Sequence, residues 1–167
     1  MAGDVAEQFG RFDELANPPI YIVTAFDGQE RSGCLIGFGG QTSIEPLRFT
    51  AWISKVNHTF GVAERSEVLA VHLVPTDAYE VARLFAEESG DWTDKFARCE
   101  WDEGPGGTPL LRACPDRFVG RVVDRFDGGD HVAHLLEPLE VHRGERSFPP
   151  TVHFNDVRHL PAGHPTP

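Results

Sequence analysis

Two stretches of this 167-residue chain carry groups suited to holding a ligand. The first is "SKVNHT", Ser54 to Thr59. It stands where an alternating strand pattern gives way to a short helical one. Ser54, Asn57 and Thr59 offer hydroxyl and amide groups, Lys55 offers a cation, and a helix start adds free N–H groups. That set is chemistry for a phosphate. The competing reading is a capped helix start with a solvated lysine. The second stretch is "GCLIGFGGQTSIEP", Gly33 to Pro46, with four glycines. A dinucleotide fingerprint would need Gly-x-Gly-x-x-Gly opening a helix. Here Thr42 stands at the closing position, and Pro46 falls inside the would-be helix, where proline costs about 3 kcal/mol. No Gly-Lys-Ser/Thr follows, so the stretch is no P-loop either. It reads as a bulged barrel corner, or as bare backbone against which a flat ligand lies close.

Other chemistries find less support. "GGDH" sets His131 beside Asp130, and His134 follows three residues later. An odd separation on a strand puts the two imidazoles on opposite faces, so this pair does not chelate one metal. The eight histidines show no other ligand spacing with a cysteine or carboxylate, and no metal is expected. No Gly-x-Ser-x-Gly elbow marks a serine hydrolase. "EWDEGPGG" reads as a solvated acidic loop. Cys34, Cys99 and Cys114 form no Cys-x-x-Cys pair and read as reduced free thiols of a cytosolic protein.

The elements that position these residues are mostly strands. "IYIVTAF" (Ile20 to Phe26) and "GCLIGF" are predicted to pair through a "DGQE" turn. "LRFTAWIS" alternates, with Leu47, Phe49, Ala51 and Ile53 on one face and Arg48, Thr50, Trp52 and Ser54 on the other. "VLAVHLV" (Val68 to Val74) is a further strand. "RFVGRVVDRF" and "HVAHLLEPLEVH" form two more, joined at "DGGD", and "TVHF" adds a short last one. Helices are expected around Ala6 to Leu15, stopped by "NPP", and at "HTFGVAERSE". A third, "PTDAYEVARLFAEESG", is expected to be capped by Thr76 or Asp77 and ended by Gly90. Six or more strands with few helices argue for a closed or nearly closed antiparallel barrel.

Length and composition fit one soluble globular domain with 40% hydrophobic residues. A chain of this size buries about 70% of its unfolded surface. The net charge of −11 is opposite to what a phosphate backbone attracts, so neither nucleic acid nor an anionic membrane is an expected partner. No apolar run approaches the roughly 20 residues of a bilayer span. The acidic start "MAGDVAEQFGRFDE" lacks a signal-peptide core, so the expected compartment is the cytoplasm. Residues 1–157 are expected to form a single domain, with 158–167, "RHLPAGHPTP", a flexible Pro-rich tail.

Taken in order, "SIEP", "SKVNHT", "DKF" (Asp94 to Phe96), "GTPLL" (Gly107 to Leu111) and "GDH" (Gly129 to His131) resemble the flavin reductase family with the FMN-binding split β-barrel. The resemblance runs from about Pro18 to Arg143. It implies a mainly β fold, a six-stranded antiparallel split barrel of Greek-key type with a few flanking helices. It also implies a homodimer with FMN or FAD at the subunit interface. In that likeness Leu35, Ile36 and Gly37 match the segment whose backbone N–H groups face the isoalloxazine ring, and Gln41 and Thr42 the next ring and ribityl contacts. Ser54, Lys55, Asn57 and Thr59 match the holders of the 5′-phosphate. Lys95 and Phe96 match a pair near the cofactor, and His131 a residue on the nicotinamide side. Many members carry Thr, Ala, Asn/Ser and Ser where this chain has Leu35, Ile36, Gly37 and Phe38, so only backbone donors remain for the ring. Arg48 replaces a more usual apolar residue.

The implied activity is hydride transfer from NADH or NADPH to FMN or FAD, supplying reduced flavin to a partner monooxygenase, with His131 orienting the nicotinamide. One alternative is a flavin carrier without turnover. Another is the same barrel with a deazaflavin, pyridoxal phosphate or haem, for which His153, His159 and His164 would be the candidate haem ligands.

Overall fold

The computed structural model describes residues 2–164. Helix α1 (Ala2–Ala16) leads into β1 (Tyr21–Phe26), β2 (Arg31–Ile36), β3 (Gly39–Ser43) and β4 (Arg48–Ser54). Helix α2 (His58–Glu64), β5 (Val68–Leu73) and α3 (Tyr79–Glu87) follow, then β6 (Trp101–Glu103) and β7 (Pro109–Leu111). The chain ends in a long hairpin, β8 (Arg117–Asp127) and β9 (His131–His142), and a single helical turn, α4 (Phe154–Val157). Asn17, in the left-handed region at φ 43, turns the chain out of α1 ahead of Pro18 and Pro19.

The main sheet is antiparallel throughout, in the order β2-β1-β5-β8-β9-β4-β3, and β2 curls round to approach β4. The pattern anticipates six strands, whereas this sheet has seven, and β6–β7 form a separate pair. The extra strand is β3, in the glycine-rich stretch. Its Gly, Gln, Thr and Ser side chains give no apolar alternation, and it forms by main-chain pairing to β4 at the sheet edge. On β4, Ala51 and Ile53 are fully buried as the alternation requires, yet Thr50 and Ser54 on the other face are also buried.

Two apolar clusters fill the fold. One joins Ile20, Ile22, Val74, Phe85, Leu111 and Val152 under α3. The other joins Val23, Ile36, Ile53, Val62, Leu69 and Leu136 under α2. Against the first cluster sits His72, 0% exposed. Its Nδ1–H donates to Ile22 O (3.0 Å) and its Nε2 accepts from Leu111 N–H (3.1 Å). Burial pushes its pKa down to about 4, so the ring is neutral at pH 7.

Three local expectations need correction. Neither Thr76 nor Asp77 caps α3; a 3-10 turn over Thr76–Ala78 leads into it, and Glu88 rather than Gly90 ends it. "TVHF" makes only isolated bridges, Thr151 to Pro75 and His153 to Pro19. The segment expected to trail free from Arg158 is docked: Leu160 packs on the α3 cluster and Gly163 N–H donates to Ala86 O (2.9 Å). Its last three residues lie outside the described ones.

Candidate functional site

Three segments far apart in sequence meet at one corner of the barrel. Trp52 N–H donates to Phe38 O (3.0 Å), and Lys55 N–H donates to Asp130 O (2.9 Å). Ser54 stands opposite His131 across β4 and β9. The Phe38 and His131 rings lie 5.0 Å apart. The "DGGD" turn fits tightly here. A Cβ on Gly128 would fall 2.4 Å from the Trp52 ring, and Gly129 sits at φ +131, so each glycine is required for a different reason. Asp127 Oδ1 accepts from Gly129 N–H (3.0 Å) and fixes the turn.

The candidate phosphate segment is only partly assembled around Lys55. Lys55 Nζ donates to both oxygens of Asp127 (2.9 and 2.8 Å), which lowers the Asp127 pKa, with the Gly129 bond adding to the effect. Ser54 is 8% exposed, and its Oγ has no partner among the described residues. Asn57 Oδ1 caps α2 by accepting from Thr59 N–H (2.9 Å). The Thr59 hydroxyl is buried against Ser32 Oγ (2.8 Å) on β2, away from solvent. Its role in the structure is to pin α2 to the sheet.

The glycine-rich stretch divides. Leu35 packs toward the α3 cluster and Ile36 is buried in the other, as strand alternation demands. β2 is an edge strand, and the Gly33 carbonyl is turned outward, where Lys95 meets it. By the same alternation Leu35 aims its main-chain groups outward, and Gly37 follows just past the strand end. A Cβ on Gly37 would meet nothing within 4 Å, so this backbone borders open space. Gln41 and Thr42 lie further along β3, both exposed; Gln41 Nε2 donates to Ser43 O (3.2 Å) and Thr42 Oγ1 meets Thr50 Oγ1 (3.0 Å).

Lys95 and Phe96 do not reach the open corner. Asp94 Oδ1 caps their 3-10 turn through Phe96 N–H (3.1 Å). Lys95 is 4% exposed and donates to Gly33 O (2.9 Å) and Phe85 O (3.4 Å), and burial pushes its pKa down. Phe96 packs edge-on between Phe85 and Trp101. The pair braces β2 from behind, two residues before the outward-facing backbone.

His58 belongs to the neighbourhood though sequence reasoning gave it no role. Its Nε2 meets Glu30 Oε1 (2.5 Å) and its Nδ1 meets Asp91 Oδ1 (2.6 Å), so it bridges the β1–β2 turn and the loop after α3. Burial alone would lower its pKa, but the bonds to Glu30 and then Asp91 outweigh that and raise it. Its partners stand 28 and 33 residues away in sequence, and no local pattern signals them. His131 pairs with its neighbour Asp130 (Nδ1 to Oδ1, 2.6 Å), which lowers the Asp130 pKa. The three cysteines are free, with Cys34 and Cys114 buried. Among the described residues no group of three His, Cys, Asp or Glu side chains could hold a metal, and no helix is long and apolar enough to cross a membrane. The corner therefore offers donors, a cation, an imidazole and bare backbone. Ser54 Oγ makes no bond to His131, so these two form no nucleophile–base pair among the described residues.

Known proteins resemble this chain in sequence and fold. The flavin reductase like domain matches residues 15–160. The chain is 27% identical over 141 residues to the reductase subunit HsaB of a flavin-dependent monooxygenase of Rhodococcus jostii, covering 75% of this chain and 69% of that one. It is 24% identical over 149 residues to the NADH-dependent FMN reductase AsuE2 of Streptomyces nodosus, covering 87% and 80%. The NADH:FAD oxidoreductase SgcE6 of Streptomyces globisporus has the same fold, with a TM-score of 0.71 at 22% identity over 76% of each chain. The match covers most of the chain and includes every strand of the sheet, and the chain belongs to the flavin reductase like domain family.

Proposed function

We propose that this chain is an NAD(P)H:flavin oxidoreductase that supplies reduced FMN or FAD to a monooxygenase. The observation that carries the reading is Ser54 Oγ, a buried hydroxyl without a partner among the described residues, next in the chain to Lys55. An orphaned buried hydroxyl costs about 1–3 kcal/mol unless a ligand satisfies it. A flavin phosphate suits that donor set. Relatives named as FMN and FAD reductases support the same cofactors and a nicotinamide donor.

When bound, the flavin supplies the acceptor for a hydride from NADH or NADPH. The chain's own residues bind and orient. Ser54 and Lys55 hold the phosphate, and Asn57 sets the helix start beside it. The N–H groups of Leu35 and Gly37 would hold the ring edge and stabilise negative charge there. Gln41 and Thr42 line the path between ring and phosphate from the β3 edge. Ionised Asp130 accepts only, so His131 Nδ1 keeps its proton and the imidazole is held in one orientation against Phe38. Lys95 and Phe96 act through β2, by fixing the carbonyl of Gly33. We place the protein in the cytoplasm as a homodimer, with a flavin-dependent monooxygenase as its partner. HsaB, named as a reductase subunit, supports that partner class.

NADH consumption with added FMN, FAD or neither tests the proposal. Flavin binding without NADH consumption would leave a carrier instead. His131→Ala should lower kcat more than it weakens flavin binding, and equal losses would remove the imidazole from the nicotinamide side. Lys55→Ala should weaken FMN binding about 10- to 100-fold. Unchanged affinity would sink the phosphate assignment.

A further inference from the structure

Two of the chain's three tryptophans pack into the fold. Trp52 lies against the Gly128 turn, and Trp101 meets the Phe96 ring edge-on and donates its Nε1–H to Phe96 O (3.2 Å). Trp92, in the loop after α3, is 89% exposed, and its ring and Nε1–H have no partner among the described residues. The loop nevertheless holds it in place. Trp92 N–H and Thr93 N–H both donate to Ser89 O (3.1 and 3.0 Å), and Thr93 Oγ1 donates to Glu88 Oε2 (2.9 Å). On its other side Asp91 is tied to His58 (2.6 Å). A single exposed apolar side chain is ordinary. An indole fixed through its backbone and left bare at the mouth of a cavity is a platform on which a flat base can stack.

That cavity, of about 370 Å³, opens between the loop and the β1–β2 turn, where Gln29, Glu30, Ser32 and Gly33 line it. Its volume is in the range of small-molecule sites. Its cations are engaged. Lys95 donates to Gly33 O and Phe85 O, and the Arg31 guanidinium lies over the rings of Phe26 (4.5 Å) and Trp101 (5.0 Å). Its acids are engaged as well, Glu30 on His58 and Asp94 on Phe96 N–H. What remains is the Trp92 ring and the side-chain amide of Gln29, which bonds nothing among the described residues. A phosphate finds no open cation there. An uncharged heterocycle finds a stacking surface and an amide, and a glutamine amide can pair with the N6 and N7 edge of adenine.

The cavity adjoins the proposed flavin corner through two segments. Gly33, on its wall, lies two residues before Leu35 on β2. His58, three residues beyond Lys55, bonds Glu30 on the cavity wall and Asp91 next to Trp92. FMN ends at the phosphate assigned to Ser54 and Lys55. FAD continues from there through a second phosphate and a ribose to an adenine. We infer that the cavity receives the adenine of FAD, stacked on Trp92, and that the chain prefers FAD to FMN. The site rests on the flavin reading above and deepens it by naming which flavin is bound.

The test is fluorescence titration of the full chain with FMN, FAD and adenosine. The wild type should bind FAD about 10-fold more tightly than FMN. Adenosine, which has no phosphate to occupy the Lys55 corner, should quench tryptophan fluorescence and displace FAD but not FMN. Trp92→Ala should lower FAD affinity about 10-fold, abolish the adenosine quenching and leave FMN affinity unchanged. Trp92→Phe keeps a stacking ring and should restore most of the FAD affinity. Should Trp92→Ala misfold by circular dichroism, the adenosine competition on the wild type decides by itself. Equal losses for the two flavins, FAD affinity unchanged in Trp92→Ala, or adenosine that fails to displace FAD overturns the inference. So does a raised KM for NADH with FAD held as before, which would give the platform to the hydride donor. NADH consumption on the same samples separates the two claims. FAD binding through Trp92 without NADH consumption refutes the reductase reading alone, and flavin-dependent turnover with FAD affinity indifferent to Trp92 refutes this one alone. A wild type that binds neither flavin refutes both.

Discussion

Acidification should strip about 3 kcal/mol of stability through His72 alone. The ring is fully buried, with its donor nitrogen on Ile22 O and its acceptor nitrogen on Leu111 N–H. Protonation would set two donors head to head at Leu111. Burial first of all, with the nearby Arg117 charge adding, holds the pKa at about 4 against 6.5 for the free side chain, although the bond to Ile22 pulls the other way. The folded value is depressed, so the contribution is whole above pH 6.5 and is lost as pH falls through about 4. A gap of about 2.5 pH units at about 1.36 kcal/mol each gives about 3 kcal/mol. That is a large share of the roughly 5–15 kcal/mol that holds a domain together. Urea unfolding across this range, on the wild type and on His72→Gln, measures it. Glutamine can give an amide N–H to Ile22 and a carbonyl to Leu111 without titrating. The wild-type slope should exceed that of the variant by about 1.2 kcal/mol per pH unit near pH 5. A residual slope will come from buried His134, whose pKa burial also lowers. Parallel curves for the two proteins would refute a neutral, doubly bonded His72.

Asp127 competes with any phosphate for Lys55, since both its oxygens already hold the ammonium. Asp127→Asn should tighten FMN roughly 5-fold by removing the like charge, while riboflavin, which lacks the phosphate, stays unchanged in a fluorescence titration. An equal gain for riboflavin would place the phosphate elsewhere. His58 gives the opposite pH dependence to His72. Its pKa is raised by Glu30 and Asp91, so its stabilisation is complete below pH 6.5 and fades as pH rises through the folded value. The Tm of the wild type should fall on the alkaline side, and His58→Gln should flatten that fall; an unchanged profile would mean the two bridges hold no charge.

The parts of the fold legible in the sequence are those whose apolar period is strong. β1, β4, β5 and the β8–β9 hairpin stand where alternation and the two turns put them. β3 was not legible as a strand, because main-chain pairing to β4 and one Thr42–Thr50 hydroxyl contact form it without an apolar alternation. For the site, only the resemblance grouped Ser54, Lys55 and His131; the β4–β9 pairing that sets Ser54 opposite His131 has no signal in either segment alone. Lys95 shows what a linear reading misses. The resemblance sets it near the cofactor, but α3 and β2 close over it, and its bonds run to Gly33 and Phe85, distant in sequence. The two bridges of His58 were hidden for the same reason.

The segment Leu35–Gly37 meets its proposed ligand through main-chain groups, while Leu35 packs against one cluster and Ile36 is buried in the other. Selection on those side chains is then set by volume and not by the ligand. Leu35 and Ile36 should drift among apolar residues of similar size without changing which flavin is bound. Gly37, which faces open space, is where a new side chain would reach the ligand first. A library built to change cofactor preference gains most from that one position, and two thirds of the segment can be left to packing.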